Sequence, residues 1–329
     1  MLALISYYFL FLTLPFFNPQ KSVDADNPAD TDKIIKLADP TIFYYNKTYY
    51  LYGTGSKPHQ EGFVVYTSAD LKKWSGPVGV DNGYAMKKGN AFGDAKFWAP
   101  QVFRHGSWFY MAYTANERIA IAKSKSPLGP FVNESKLPIE DKKQIDPFVF
   151  FDGDKIYMYH VVVANGANRI FVVELNDDLS AVKSNTLKEC ISYTDRWENT
   201  GNDEWAVTEG PTVLKRDGLY YLLYSANDFR SVDYAVGYAT STSPTGPWKK
   251  YSGNPIISKQ HTKYNGSGHG DLFKDRQGNY KYVMHTHFSN TTVAPRLTGI
   301  IDINFKDKNI SSVAESFNYL KVEASQQNK

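Results

Sequence analysis

Three short stretches set an acid at or beside a proline: Asp39 in "LADPTI", Asp146 in "QIDPFV" and Glu209 in "TEGPTV". Carboxyls that meet in space repel, so one of them holds its proton more tightly. A protonated acid beside an ionised one is the machinery that cleaves glycosidic bonds. Whether these acids meet depends on the elements that carry them. A single Asp-Pro is by itself a turn device, because proline pushes the residue before it out of the helical region.

The elements repeat. "ADPTIFYYNKTYYLYGTG" begins at Ala38, "WAPQVFRHGSWFYMAYTA" at Trp98, "IDPFVFFDGDKIYMYHVV" at Ile145, "EGPTVLKRDGLYYLLYSA" at Glu209 and "GHGDLFKDRQGNYKYVMH" at Gly268. The starts lie 60, 47, 64 and 59 residues apart. Each unit is a short apolar strand, a polar turn such as Asn46-Lys47 or Asp217-Gly218, and an aromatic-rich strand, which is the signature of a β-hairpin. A third strand follows in every unit ("GFVVYTSAD", "RIAIAKSKS", "NRIFVVELN", "YAVGYATSTS", "RLTGIIDINF"), and a fourth is expected. Five such units predict an all-β fold, a five-bladed β-propeller formed as a single domain over residues 35–323. A β-sandwich does not account for the fivefold return. The last unit supplies its own outer strand, "SFNYLKVEA", so the ring is expected to close without one borrowed from the N-terminus. In a propeller the first strand of each blade lines the axis. Asp39, the Trp98-Ala99-Pro100 step, Asp146, Glu209 and His269 are therefore expected to converge on a catalytic pocket there. Ala99 shows that the place does not require an acid, so the acids elsewhere need a chemical reason.

Composition agrees with a sugar-handling surface. The 329 residues include 24 Tyr and 20 Phe, which favour strands and stack on flat rings. The net charge is +3 with both signs dispersed, so no nucleic-acid footprint is present. Cys190 is the one cysteine, which excludes an intrachain disulfide and a multi-cysteine zinc site. The uncharged run "MLALISYYFLFLTLPFF" predicts an export signal over residues 1–20, or a membrane anchor if it is retained. Residues 21–34 then form a flexible linker and 324–329 a tail, and the protein is secreted or periplasmic.

The set "ADP", "WAP", "IDP", "TEGP" and "GHGD" resembles glycoside hydrolase family 43, over about residues 35–323. The family is made of five-bladed propellers that include β-xylosidases, α-L-arabinofuranosidases and arabinanases. The resemblance implies inversion at the anomeric carbon, with Asp39 as the general base, Glu209 as the general acid and Asp146 as the acid that tunes and orients Glu209. It implies substrate contacts from Trp98, His269 and Arg296 (in "APRLTGI"), and an oligosaccharide or polysaccharide substrate that releases α-L-arabinofuranose or β-D-xylose. It implies no cofactor or catalytic metal; a structural calcium near the pocket occurs in parts of the family. Glu204, in the longer lead "KECISYTDRWENTGNDEWAVT", competes with Glu209 for the acid role. Two other readings are a retaining fructan- or sucrose-type hydrolase, whose Asn-Asp-Pro-Asn context "LADPTI" lacks, and a non-catalytic sugar- or protein-binding propeller.

Three further motifs are set aside. "GSGHGD" suggests a phosphate loop, but no helix pattern follows it. "HTH" puts His285 and His287 on one strand face, where lining the channel is the expectation and a metal site the alternative. The five Asn-x-Ser/Thr matches are at chance level for this composition.

Overall fold

Asn46-Lys47, Asn116-Glu117, Asn165-Gly166, Asp217-Gly218 and Asp307-Lys308 all take left-handed φ at both residues and sit between directly paired strand ends. That mirror-image turn matches the right-handed twist of paired strands, so it fixes their register. The computed structural model describes residues 31–323. The signal expected over residues 1–20 lies outside them. Among the described residues no helix is long and apolar enough to cross a membrane.

Five antiparallel blades follow one another along the chain. Blade 1 holds β1 (Leu37–Tyr45), β2 (Thr48–Gly55) and a third strand broken into β3 (Gly62–Val64) and β4 (Tyr66–Ser68), with β5 (Tyr84–Lys87) paired to β3. Blade 2 is β6 (Trp98–His105), β7 (Trp108–Ala115) and β8 (Arg118–Ser124). Blade 3 is β9 (Gln144–Asp152), β10 (Lys155–Ala164), β11 (Ala167–Leu175) and β12 (Lys188–Ile191). Blade 4 is β13 (Ala206–Arg216), β14 (Leu219–Ala226), β15 (Ala235–Ser241) and the two-residue β16 (Lys249–Lys250). Blade 5 is β17 (Gly268–Lys274), β18 (Tyr280–Thr286), β19 (Leu297–Lys306) and β20 (Asn309–Tyr319). In blades 1 and 2 the expected fourth strand is reduced to single bridges, Thr67 to Ser75 and Lys123 to Val132.

The core is divided into five parts, one between each pair of neighbouring blades. Tyr52 and Phe63 pack on Met111 and Tyr113, and Ala112 and Ile119 on Val149 and Met158. Tyr159 and Ile170 meet Leu222 and Tyr224, and Tyr221 and Leu223 meet Tyr282 and Ile301. Val283 and Ile300 then meet Leu37 and Leu51, which closes the ring. This arrangement explains why "LYYLLYSA" is apolar throughout. Residues 221 and 223 serve one interface, 222 and 224 the other, so both faces of the strand are buried.

Blade 5 has its own outer strand, as expected, but the Asp307-Lys308 turn starts it at Asn309 rather than at Ser316. A short clasp runs alongside. Ile35 N donates to Leu320 O and Val322 N to Lys33 O, both at 2.9 Å, and Thr298 Oγ1 donates to Leu37 O at 2.8 Å.

Candidate active site

Each inner strand bulges near its start, and the bulged residues share one backbone state. Asp39, Ala99, Asp146, Gly210 and His269 have φ of 47°, 43°, 56°, 60° and 38°. For a residue with a side chain this costs on the order of 1–3 kcal/mol, so it persists only where the surroundings enforce it. Here an acceptor on the second strand of the preceding blade takes the bulged N–H. Thr54 Oγ1 accepts from Ala99 (2.9 Å), Thr114 Oγ1 from Asp146 (3.0 Å), Ser225 Oγ from His269 (2.8 Å) and His285 Nδ1 from Asp39 (3.1 Å). Blade 3 has Val161 at that place, opposite Ile145, and Val161 has no acceptor. Gly210 N instead donates to Asp146 Oδ2 at 3.2 Å.

This register corrects one expectation. Asp39 and Asp146 are equivalent, but Glu209 is not their equivalent: it stands one residue before the bulge, in the place of Ala38, Trp98, Ile145 and Gly268. The bulge of blade 4 is taken by Gly210, where an added Cβ would come within 2.7 Å of His269 Cδ2. The acids thus reach the axis from two different strand positions. Asp39 and Asp146 project from bulges, while Glu209 projects from the step that in blade 2 carries Trp98.

The structure brings Asp39, Trp98, Asp146, Glu209, His269 and Arg296 to the wall of a single cavity of about 280 Å³, together with Asn168, Asp228 and Phe229. Larger hollows at the outer blade edges, one of about 720 Å³ between blades 5 and 1, hold acids already paired with lysine or backbone groups, such as Asp302 with Lys281 and Asp70 with the N–H groups of Lys72 and Lys73.

Inside the cavity the three carboxyls meet different surroundings. Burial opposes charge on Asp39, but Arg296 Nη1 at 3.0 Å and the Thr54 hydroxyl at 2.6 Å outweigh it. Its pKa therefore lies well below the usual carboxylate range. His285 Nδ1 accepts the Asp39 N–H, so its 3.4 Å approach to Asp39 Oδ1 is not an ion pair. Burial depresses both His269 and His285, in accord with neutral rings.

Glu209 has no cation beside it. Tyr234 OH donates to its Oε1 at 2.8 Å and Asn168 Nδ2 to its Oε2 at 3.3 Å. Burial, with the charges of Asp39 and Asp228, pushes it up to about 7 against those two bonds. Asp146 is pushed up too, by burial first and then by Glu209 and Asp39. The two carboxyls titrate as a pair, and removal of the last shared proton is hindered by the charge already present.

Glu204 is exposed and is not part of the cavity wall. His287 is buried and binds Phe229 O at 2.8 Å. Among the described residues no cluster of three His, Cys, Asp or Glu side chains is set to hold a metal. Asp271, a further acid near the axis, accepts the Thr41 and Thr212 hydroxyls at 2.7 Å each. Sequence reasoning missed Asn168, Asp228, Phe229 and Tyr234. All four lie outside the inner strands, in segments where the repeat gives no guide to position. The signal that was available is the "YGT", "YTA", "YSA", "MHT" series, which supplies the bulge acceptors.

The family model of the glycosyl hydrolases family 43 matches residues 33–310. A crystal structure described as an endo-1,4-β-xylanase from Bacteroides thetaiotaomicron is 39% identical with a TM-score of 0.82, covering 88% of this chain and 98% of that one. The β-D-galactofuranosidase xynD of Aspergillus niger is 27% identical over 88% of this chain and 87% of its own length. The extracellular exo-α-(1→5)-L-arabinofuranosidase ArbA of Cellvibrio japonicus is 24% identical, over 78% and 80%. Five blades around these acids, matched over most of the chain, mean that the protein belongs to glycosyl hydrolases family 43.

Proposed function

We propose that the protein is an inverting exo-glycosidase that releases α-L-arabinofuranose or β-D-xylose from plant-type polysaccharides outside the cytoplasm. Asp39 is the general base, Glu209 the general acid, and Asp146 the group that sets the acid's proton affinity. The observation that carries this reading is the contrast between two carboxyls in one cavity. Asp39 is held ionised by Arg296, while Glu209 is buried without a cation and pushed up to about 7. Such a divergence is how one site holds a base and an acid together. In the reaction Asp39 takes a proton from water as its oxygen attacks the anomeric carbon. Glu209 gives its proton to the departing glycosidic oxygen, and both bonds change in one displacement. Trp98 offers a stacking face and Arg296 orients the sugar while it holds Asp39. A cavity of about 280 Å³ suits one terminal sugar. The relatives named for an arabinofuranosidase, a galactofuranosidase and a xylanase support a pentose or furanose at that place, and the arabinofuranosidase is named as extracellular.

The test is an aryl glycoside panel (arabinofuranoside, xyloside, galactofuranoside) followed by NMR of the first sugar formed. An inverted anomer is expected, and a retained one would remove Asp39 as base. Glu209→Gln should lose less on dinitrophenyl glycosides than on natural linkages, because that leaving group needs no proton. Asp39→Asn should lose equally on both.

A further inference from the structure

Trp205 takes no part in the proposed reaction, yet its setting is specific. It stands immediately before β13 and leaves 46% of its surface open to solvent. The loop that presents it is fixed from beneath. Glu198, fully buried, accepts Thr194 N and Asp195 N at 2.8 Å, Lys250 Nζ at 2.6 Å and Tyr224 OH at 2.6 Å. The Asn199 side chain closes two bonds of 2.9 Å with the Asp203 backbone. An exposed indole on a rigid support is a preorganised contact surface, since little freedom is left to lose on binding.

Its direction follows from its hydrogen bond. Trp205 stands just outside β13, whose Val207 and Glu209 both line the cavity. The indole Nε1 donates to Asn168 Oδ1 at 3.0 Å, and the same amide donates from Nδ2 to Glu209 Oε2 at 3.3 Å. Trp205 is thus one amide away from Glu209, beyond the cavity, on the Glu209 side.

We propose that the open face of Trp205 is a stacking platform for the leaving-group sugar, so that the site takes a glycan of at least two units with its terminal unit in the cavity. This rests on the assignment of Glu209 as the acid. An acid must lie against the glycosidic oxygen, and the sugar on the far side of that oxygen then departs past Glu209. Trp205 is an exposed aromatic on that side, outside the cavity wall to which Phe229, 37% exposed, already belongs. Its ring takes the apolar face of a sugar while its N–H stays bound to Asn168.

The experiment compares two substrates of the sugar that wild type releases: the trisaccharide (arabinotriose or xylotriose) and the glycosyl fluoride, whose leaving group has no ring. Trp205→Ala should lower kcat/KM for the trisaccharide about tenfold more than for the fluoride, mainly through KM. Trp205→Phe keeps the ring and should restore most of the trisaccharide KM. Equal losses on both substrates, or none on the trisaccharide, overturn the proposal. So does a wild type that hydrolyses the fluoride but not the trisaccharide, although the assignment of acid and base then stands. A wild type inactive on both overturns that assignment and the platform together.

Discussion

Gly210 N donates to Asp146 Oδ2 at 3.2 Å, and Gly210 is the residue after Glu209, so the two cavity carboxyls with raised proton affinity are joined through one peptide step. The bond fixes where the Glu209 strand turns, and Asp146 makes it because blade 3 offers only Val161 at the usual acceptor place.

Asp146→Asn keeps an oxygen for this bond and removes the charge. The alkaline limb of kcat/KM, set by the last shared proton, should move to lower pH, with activity at neutral pH falling about tenfold or more. Asp146→Ala, which also frees the Gly210 N–H, should be worse at every pH. A pH series on both variants separates the charge from the bond.

Arg296→Met should create an acidic limb. In wild type Asp39 stays ionised across the usual assay range because its pKa lies well below that of an ordinary carboxylate. Without the guanidinium, burial is left to dominate and the pKa rises, so kcat/KM should fall as the pH drops through a range where wild type is flat. The position of the limb is the readout, since loss of sugar contact lowers activity at all pH values.

Glu209→Gln should stabilise the fold above pH 7. The folded-state pKa of Glu209 is raised to about 7 from an ordinary value of 4.5. The folded state thus retains a proton that the unfolded chain releases, and wild-type stability declines as pH rises through that window. Gln has no such term. Thermal unfolding should show the variant gaining on wild type from pH 4.5 to 7, then a constant advantage.

Gly210→Ala should destabilise more than Gly218→Ala. Both positions have left-handed φ, 60° and 77°, but the new Cβ meets the His269 ring at 2.7 Å in the first case and nothing within 4 Å in the second. The strain of the backbone alone costs roughly 1–2 kcal/mol, so the excess in the denaturant midpoint measures the collision. Activity should fall with it, because Glu209 and His269 both shift.

Much of the ring could be read in the residues, because each blade repeats one hairpin and a strand buried on both faces is continuously apolar, as in "LYYLLYSA". Asp39 and Asp146 were legible for the same reason: both precede a proline at the bulge. Glu209 was found as the start of its unit, in line with Ala38, Trp98, Ile145 and Gly268, but was grouped with Asp39 and Asp146, which stand one residue later at the bulge. Asn168 and Asp228 were invisible. Asn168 reaches Glu209 through its parallel pairing with Val207 between blades 3 and 4, and Asp228 lies in the loop after β14, which the repeat does not describe.

The clasp between residues 33–35 and 320–322 has a consequence for when the enzyme becomes able to act. Asp39 belongs to the first blade made, yet Arg296, His285 and His269 all belong to the last. Until that seam shuts, Asp39 has no guanidinium to keep it charged and no imidazole to cap its backbone. With Asp39 as the proposed base, a growing chain that has completed four blades is still chemically silent, and a finished ring that opens at this one joint loses the group proposed to activate water. On that reading ring closure and competence are one event.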